Sequence, residues 1–169
     1  MAATGPAPHR DRTLPLRALF FVALCPGTVT IAVPYWLGAS RPLGLGALRA
    51  AGAPFLAVGI AVFAWCVWDF AVAGRGTLAP VDPPRVLVMR GLYRRIRNPM
   101  YVGVVSILVG EALLRDSATL LAYAAGVWLT FHLFAVLYEE PHLRRQFGAS
   151  YDDYRRRVPR WLPRVASRP

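Results

Sequence analysis

The chain has 169 residues, room for one domain, and 56% hydrophobic against 17% charged content is too apolar for an ordinary soluble fold. All 20 basic residues are arginine, and against nine acidic residues they leave a formal charge of +11. Such a charge can serve nucleic acid, but these arginines sit beside long apolar runs rather than on a soluble face. That placement excludes nucleic acid as the partner and marks the flanks of membrane helices.

Met1 to Asp11 reads as a disordered leader within a cytoplasmic segment 1–17. Four apolar runs follow. Ala18–Ser40 has 23 residues without a formal charge, Ala50–Gly74 has 25 interrupted only by Asp69, Asn98–Leu114 has 17 interrupted only by Glu111, and Ser117–Tyr138 has 22. About 20 residues at 1.5 Å each cross the hydrocarbon, so the sequence predicts four transmembrane helices. The third is the shortest. It connects to the fourth through Arg115-Asp116 alone, which predicts a tight antiparallel hairpin.

The first run could act as a signal peptide, but it is long for one and ends without a clean small-x-small site, so it is read as a retained helix. Cys25 and Cys66 lie inside apolar runs, without metal-ligand spacing, and are read as small core residues. Pro26, Pro34 and Pro54 predict kinks in the first two spans. Trp36, Trp65 and Trp68 fall near span ends, where amphipathic rings settle at headgroup level.

Arginine counting sets the topology. Three precede the first run, six lie between Arg75 and Arg97, and eight follow Tyr138, which puts 17 on one side. The opposite side keeps Arg41, Arg49 and Arg115. The positive-inside rule then predicts a multi-pass cell-membrane protein with both termini and the 75–97 loop in the cytoplasm.

Residues 74–97 form a proline- and glycine-punctuated loop, too long to be only a turn. Its Val86-Leu87-Val88-Met89 stretch argues against disorder. Asn98-Pro99 then opens the third span with proline near its first turn, leaving backbone N–H groups aimed at the cytoplasm. The fourth span ends at Tyr138-Glu139-Glu140-Pro141, two adjacent carboxylates at the membrane mouth facing an arginine-rich loop. His132 lies one heptad before Glu139, on nearly the same face and about 10 Å deeper. It is either a functional group or a histidine hydrogen-bonded within the bundle. Asp69 and Glu111 carry the same alternatives, a buried partner for an arginine among them.

Beyond Pro141, Leu143, Phe147, Tyr151, Tyr154 and Val158 are spaced four, four, three and four. This is a helical stripe for a helix lying on anionic lipid or folded back on the loop. Gly148 can split it, with Ser150 and Asp153 as a capping box for the second piece.

Gly91-Leu92-Tyr93, Arg97-Asn98-Pro99-Met100-Tyr101-Val102-Gly103, Glu139-Glu140, Phe147-Gly148 with Tyr151 and Tyr154, and Val158-Pro159 with Pro163 resemble the isoprenylcysteine carboxyl methyltransferase family, a relative of the phospholipid methyltransferases. The resemblance covers roughly 74–163. It implies an all-α integral membrane methyltransferase of about four transmembrane helices, with a cytoplasmic cofactor-binding loop and an amphipathic helical tail. The domains would be the leader 1–17, helices one and two over 18–73, and the methyltransferase core over 74–169.

The same resemblance implies S-adenosylmethionine as cofactor, held by Val86, Leu87, Val88, Tyr93, Asn98, Pro99, Met100, Tyr101, Glu139 and Glu140. His132 and Ala135 would face the substrate, a lipophilic or small acceptor bearing a carboxylate, thiol or lipid amine. Membrane lipids are the other partners; no metal and no catalytic base is nominated. The family usually has histidine at Asn98. Its prenylcysteine-specific members have an arginine at Ala135, and alanine cannot replace a bidentate carboxylate clamp, so the substrate differs or is held differently. A non-catalytic membrane binding or assembly protein, or a small transporter subunit, remain the alternatives. The double glutamate and the Asn-Pro-Met-Tyr block favour the enzyme.

Overall fold

A computed structural model of the chain describes residues 26–37, 42–73, 87 and 89–163. Val86 and Val88, the leader and most of the long loop lie outside them. Among the described residues the fold is all helical, with one isolated antiparallel bridge between Pro42 and Ser117. The helices are α1 (Thr28–Leu37), α2 (Gly52–Ala73), α3 (Pro99–Leu114), α4 (Ala118–Phe134), α5 (Glu140–Phe147) and α6 (Ala149–Arg157).

Among the described residues, two continuous helical stretches are long and apolar enough to cross a membrane, Gly46–Asp69 with 24 residues and Ala118–Phe147 with 30. α1 and α3 are apolar but shorter. Only 17% of either long stretch is buried in the chain, and Ile60, Trp65, Trp68, Leu129 and Leu137 stand exposed. Helices this apolar with so little internal cover need hydrocarbon around them.

Close backbone contact joins α2 to α3. Gly52 and Gly59 face Gly110 and Gly103, and the two pairs run in opposite order, so the helices are antiparallel. A Cβ at Gly110 would lie 2.6 Å from the Leu56 nitrogen, and one at Gly59 would lie 2.7 Å from the Ile107 nitrogen. Only hydrogen at these positions lets the backbones approach so far, the small-residue packing that replaces the hydrophobic effect between membrane helices.

The hairpin predicted between α3 and α4 is present. Ser117 caps α4 by accepting from the Leu120 N–H at 3.1 Å. Asp116 sits at φ +51 and accepts from the Leu45 N–H and from Arg49. Val104, Leu108 and Ala124 form the core among the helices, with Val29, Phe63 and Phe131 packed on it.

The helix carrying the double glutamate does not stop at Tyr138. It passes through a π-helical turn, Ala135–Glu139, and continues as α5. In that turn the Glu140 N–H bonds to the Ala135 carbonyl, five residues back. The widened turn precedes Pro141, which lacks an N–H and would clash with the carbonyl four residues back in a regular helix. α1 repeats the device. Thr28–Ala32 is π-helical, the Val33 N–H bonds to the Thr28 carbonyl, and Pro34 follows. Pro54 lies in the first turn of α2, where its missing N–H breaks no helical bond.

Gly148 does split the tail, at φ +52 and ψ −128, a conformation that L residues avoid. The capping box does not form. α6 starts at Ala149 with Gly148 as its cap, so Ser150 already lies inside the helix.

Candidate functional site

The start of α3 and the end of α4 meet through side chains. Tyr101, in the first turn of α3, donates its hydroxyl to Glu139 Oε2 at 3.1 Å. Its ring stacks on Phe131 of α4, with centroids 4.5 Å apart and planes at 15°. Ala135, fully buried, opens the π-helical turn that Glu139 closes. Pro99 is buried at the helix start and Met100 is half-buried beside it.

The tail folds back over this junction, one of the two alternatives its stripe allowed. Tyr151, Tyr154 and Val158 are buried in a second core with Leu143, Phe147 and Leu87, so every member of the stripe packs in one cluster. The following segment hydrogen-bonds the chain entering α3. The Arg97 N–H donates to the Pro159 carbonyl at 2.9 Å and the Asn98 N–H to the Arg160 carbonyl at 3.3 Å. Two backbone donors expected to face the cytoplasm are thereby taken by the tail.

Glu140 is the charge centre of that closure. Buried at 8% exposure, it binds Arg97 Nη1 at 2.8 Å and Arg160 through Nε at 2.7 Å and Nη2 at 3.0 Å. The Glu140 hydrogen bonds push the Arg160 guanidinium further up from its already high value. Tyr154 donates to the Tyr93 carbonyl at 2.7 Å, and burial raises its phenol well above the usual range, so it stays a donor.

Tyr93 belongs to a short 3-10 turn, Gly91–Arg94, that sits on α2. Its phenol is hydrogen-bonded to the Cys66 thiol, and burial, with Cys66 second, raises its pKa. Asp69 pairs with Arg90 at 3.5 Å, as expected of a buried partner for an arginine, yet its Oδ2 makes no hydrogen bond among the described residues. Gly91 lies directly against that carboxylate at φ +54, where a side chain would overlap it.

Trp161, the residue after Arg160, carries the tail onto the aromatic face of the site. It lies 6.5 Å from Tyr101 and 6.4 Å from Trp128, ring to ring. It also donates its indole N–H to His132 Nδ1 at 3.2 Å. His132 is thus hydrogen-bonded within the bundle.

Tyr101, Glu139, Phe131, His132 and Trp161 are therefore joined side chain to side chain. Glu140 is turned away into its arginine pair. Leu87 and Tyr93 join the site through the tail core. Sequence reasoning passed over Arg97, Arg160, Trp161 and Phe131. The signal for the arginines was the invariably paired state of buried carboxylates, which requires cations for Glu140 somewhere in the chain.

The residues leave specific binding capacity open. Asn98 Nδ2 and Arg97 Nε are buried donors without a hydrogen-bond partner among the described residues. Glu139, which Tyr101 ties to the first turn of α3, is in no ion pair among those residues and accepts only from Tyr101. Two unused donors, one unpaired carboxylate and a wall of aromatic rings suit a zwitterionic molecule with a flat ring and a cationic centre.

Comparison with known proteins places the chain in a family. The family model described as phospholipid methyltransferase matches residues 48–150. The chain is 36% identical over 80 residues to protein-S-isoprenylcysteine O-methyltransferase B of Arabidopsis thaliana, covering 47% of this chain and 40% of that protein. It is 35% identical over 77 residues to methanethiol S-methyltransferase 2 of Bradyrhizobium diazoefficiens, covering 46% and 29% respectively. It is 38% identical over 82 residues to the nickel-cobalt-cadmium resistance protein NccN of Alcaligenes xylosoxydans xylosoxydans, covering 47% and 37%. The matches thus span well under half the length of each of these relatives.

Proposed function

We propose that this chain, which belongs to the phospholipid methyltransferase family, is a membrane enzyme that transfers a methyl group from S-adenosylmethionine to a lipophilic or small acceptor. The observation that carries the reading is Glu139, in no ion pair among the described residues and held by Tyr101 of α3, together with the unused donors of Arg97 and Asn98 at the start of that helix. S-adenosylmethionine fits that set, and when bound it supplies an electrophilic methyl group on a sulfonium. In our reading Glu139 receives its ammonium, while Asn98 and Arg97 receive its carboxylate. Pro99, Met100, Tyr101, Tyr93 and the Val86-Leu87-Val88 stretch enclose the remainder.

Glu140 acts from behind. Held by two arginines, it fixes the tail over the start of α3 and so keeps water from the reacting centre. The Tyr101 hydroxyl fixes the rotamer of Glu139. Methyl transfer is an in-line displacement, so alignment and exclusion of water supply most of the catalysis and no acid–base group is required of the chain.

The acceptor class draws support from the relatives, whose names specify an isoprenylcysteine and methanethiol. We further propose four membrane crossings, about 18–40, 50–74, 98–114 and 117–138, with both termini, the 75–97 loop and the tail in the cytoplasm. A core over 74–169 would carry the chemistry. The arginine count supports this orientation.

Calorimetric titration of detergent-purified protein with S-adenosylhomocysteine tests the reading. Glu139→Gln removes a charge-assisted contact and is expected to weaken binding by about 10- to 100-fold. Tyr101→Ala should weaken it by about tenfold, and Arg168→Ala should leave it unchanged. Equal effects from all three variants would refute the site. No binding by folded protein would leave a non-catalytic binding or assembly role, or a transporter subunit.

A further inference from the structure

Between Ala118 and Glu139 the sequence holds one basic side chain, His132. It precedes Ala135 by three residues, so the two share a side of the helix, and it is linked to Tyr101, the partner of Glu139, through Trp161. Its ring lies between Trp128 and Trp161, with centroids 5.4 and 5.9 Å away. Its Nδ1 accepts the hydrogen bond from Trp161 Nε1. An indole N–H can only donate, so the Nδ1 that meets it carries no proton. The neutral imidazole then has its hydrogen on Nε2, and no hydrogen bond to Nε2 occurs among the described residues. While Trp161 holds Nδ1, the free edge of the ring presents a donor rather than a base.

We propose that His132 orients the methyl acceptor by donating from Nε2, and that the acceptor it suits is an apolar thiolate. The proposal rests on the methyltransferase reading and names the substrate class of that site. A carboxylate acceptor spreads its charge over two oxygens and calls for a bidentate cation. This face offers Ala135 instead; Arg97 and Arg160 are both bonded to Glu140, and the one donor that Arg97 has left is assigned to the cofactor. An amine acceptor must attack with its single lone pair, which a ring N–H would occupy. A thiolate sulfur has three lone pairs, so it accepts one hydrogen bond and keeps another for attack, and sulfur packs well at aromatic edges. Trp128, Leu129 and Leu133 are exposed on the outer surface of α4, where an apolar chain can lie alongside.

The step balances without a further reactant. The thiol releases its proton to water at the mouth of the site. The thiolate sulfur forms a bond to the methyl carbon, the methyl–sulfonium bond breaks, and its electron pair neutralises the donor sulfur. The products are a methyl thioether and S-adenosylhomocysteine.

The test uses full-length protein in lipid nanodiscs, tritiated methyl donor, and 1-octanethiol, octanoate and octylamine as probes of equal chain length. Octanethiol should be methylated at least tenfold faster than the other two. His132→Phe keeps an aromatic ring between the tryptophans but has no donor. It should lower kcat/KM for octanethiol by about 10- to 100-fold, the worth of one hydrogen bond to a charged group, with S-adenosylhomocysteine affinity unchanged. His132→Gln, whose amide nitrogen reaches the Nε2 position, should restore most of the rate.

Nitrogen-15 spectra of histidine-labelled protein, assigned by the signal lost in His132→Gln, should show Nδ1 unprotonated and Nε2 protonated. Octanoate or octylamine methylated as fast as octanethiol, or no probe methylated by protein that binds S-adenosylhomocysteine, overturns the acceptor class. A glutamine variant no better than phenylalanine, or a proton found on Nδ1, overturns the donor role. Failure of unmutated, folded protein to bind S-adenosylhomocysteine has a different signature. It overturns the methyltransferase reading and the proposal with it.

Discussion

Substituting alanine for glycine at two positions separates the backbone contact between α2 and α3 from helix propensity. At Gly110 a Cβ would stand 2.6 Å from the Leu56 nitrogen, 2.9 Å from Leu56 Cα and 2.9 Å from the Gly52 carbonyl oxygen. All three neighbours are backbone, so none can rotate away. Ordinary Cβ contacts begin near 3.4 Å, and the helices must part by several tenths of an ångström along their glycine seam. Gly126 in α4 has nothing within 4 Å of such a Cβ. Both substitutions gain the same helix propensity, up to about 1 kcal/mol. Only Gly110→Ala adds overpacking, about 1–3 kcal/mol. The difference between the variants is therefore the overpacking term alone, and for a chain of this size it corresponds to a melting temperature about 2–12 °C lower for Gly110→Ala. Thermal unfolding of both proteins in one detergent, followed by circular dichroism, measures it. Equal melting temperatures would falsify the close contact between α2 and α3.

Glu140→Gln leaves Arg97 and Arg160 facing each other without the buried carboxylate between them. It should destabilise the folded tail by about 3 kcal/mol, seen as faster proteolysis after Arg144 or Arg157, whereas Glu139→Gln leaves proteolysis unchanged. Asp116 supplies a pH dependence. The Leu45 N–H, and after it Arg49, hold its carboxyl below the usual carboxylate range. A depressed folded pKa means that its stabilisation is present above the unfolded value, near 3.8, and is lost as pH falls through the lower folded value. Melting temperatures of wild type and Asp116→Asn should differ at pH 7 and converge as pH drops below about 4; a gap that stays constant with pH would refute the assignment.

What could be read from the sequence divides by range. The stripe Leu143, Phe147, Tyr151, Tyr154 and Val158 was legible because helical period lines up its members within each piece of the tail, and all five pack together across the break at Gly148. Gly148 was legible as a break because a positive φ there suits glycine. The capping box failed because Ser150 and Asp153 compete with a glycine that ends one helix and caps the next. Gly52, Gly59, Gly103 and Gly110 are each seven residues from a partner on their own helix. Spacing alone does not show which helix such a seam meets, so the contact was not legible in the sequence. Trp161 was invisible for a related reason. It reaches His132 across 29 residues, and only after the tail has folded back.

Glu139 and Glu140 show why adjacency in sequence does not mean shared duty. Successive helical residues diverge by about 100°, so two neighbouring carboxylates meet different partners. The π-helical turn closes at Glu139, just before Pro141. Glu139 accepts from Tyr101 in the first turn of α3, while Glu140 bridges Arg97, just before α3, to Arg160 of the tail. Glu140 has its own arginines, and Glu139 is left in no ion pair among the described residues. Under the proposed function a cationic ligand centre would meet that carboxylate, and Pro141, which looks like a helix stop, follows the widened turn that ends at Glu139.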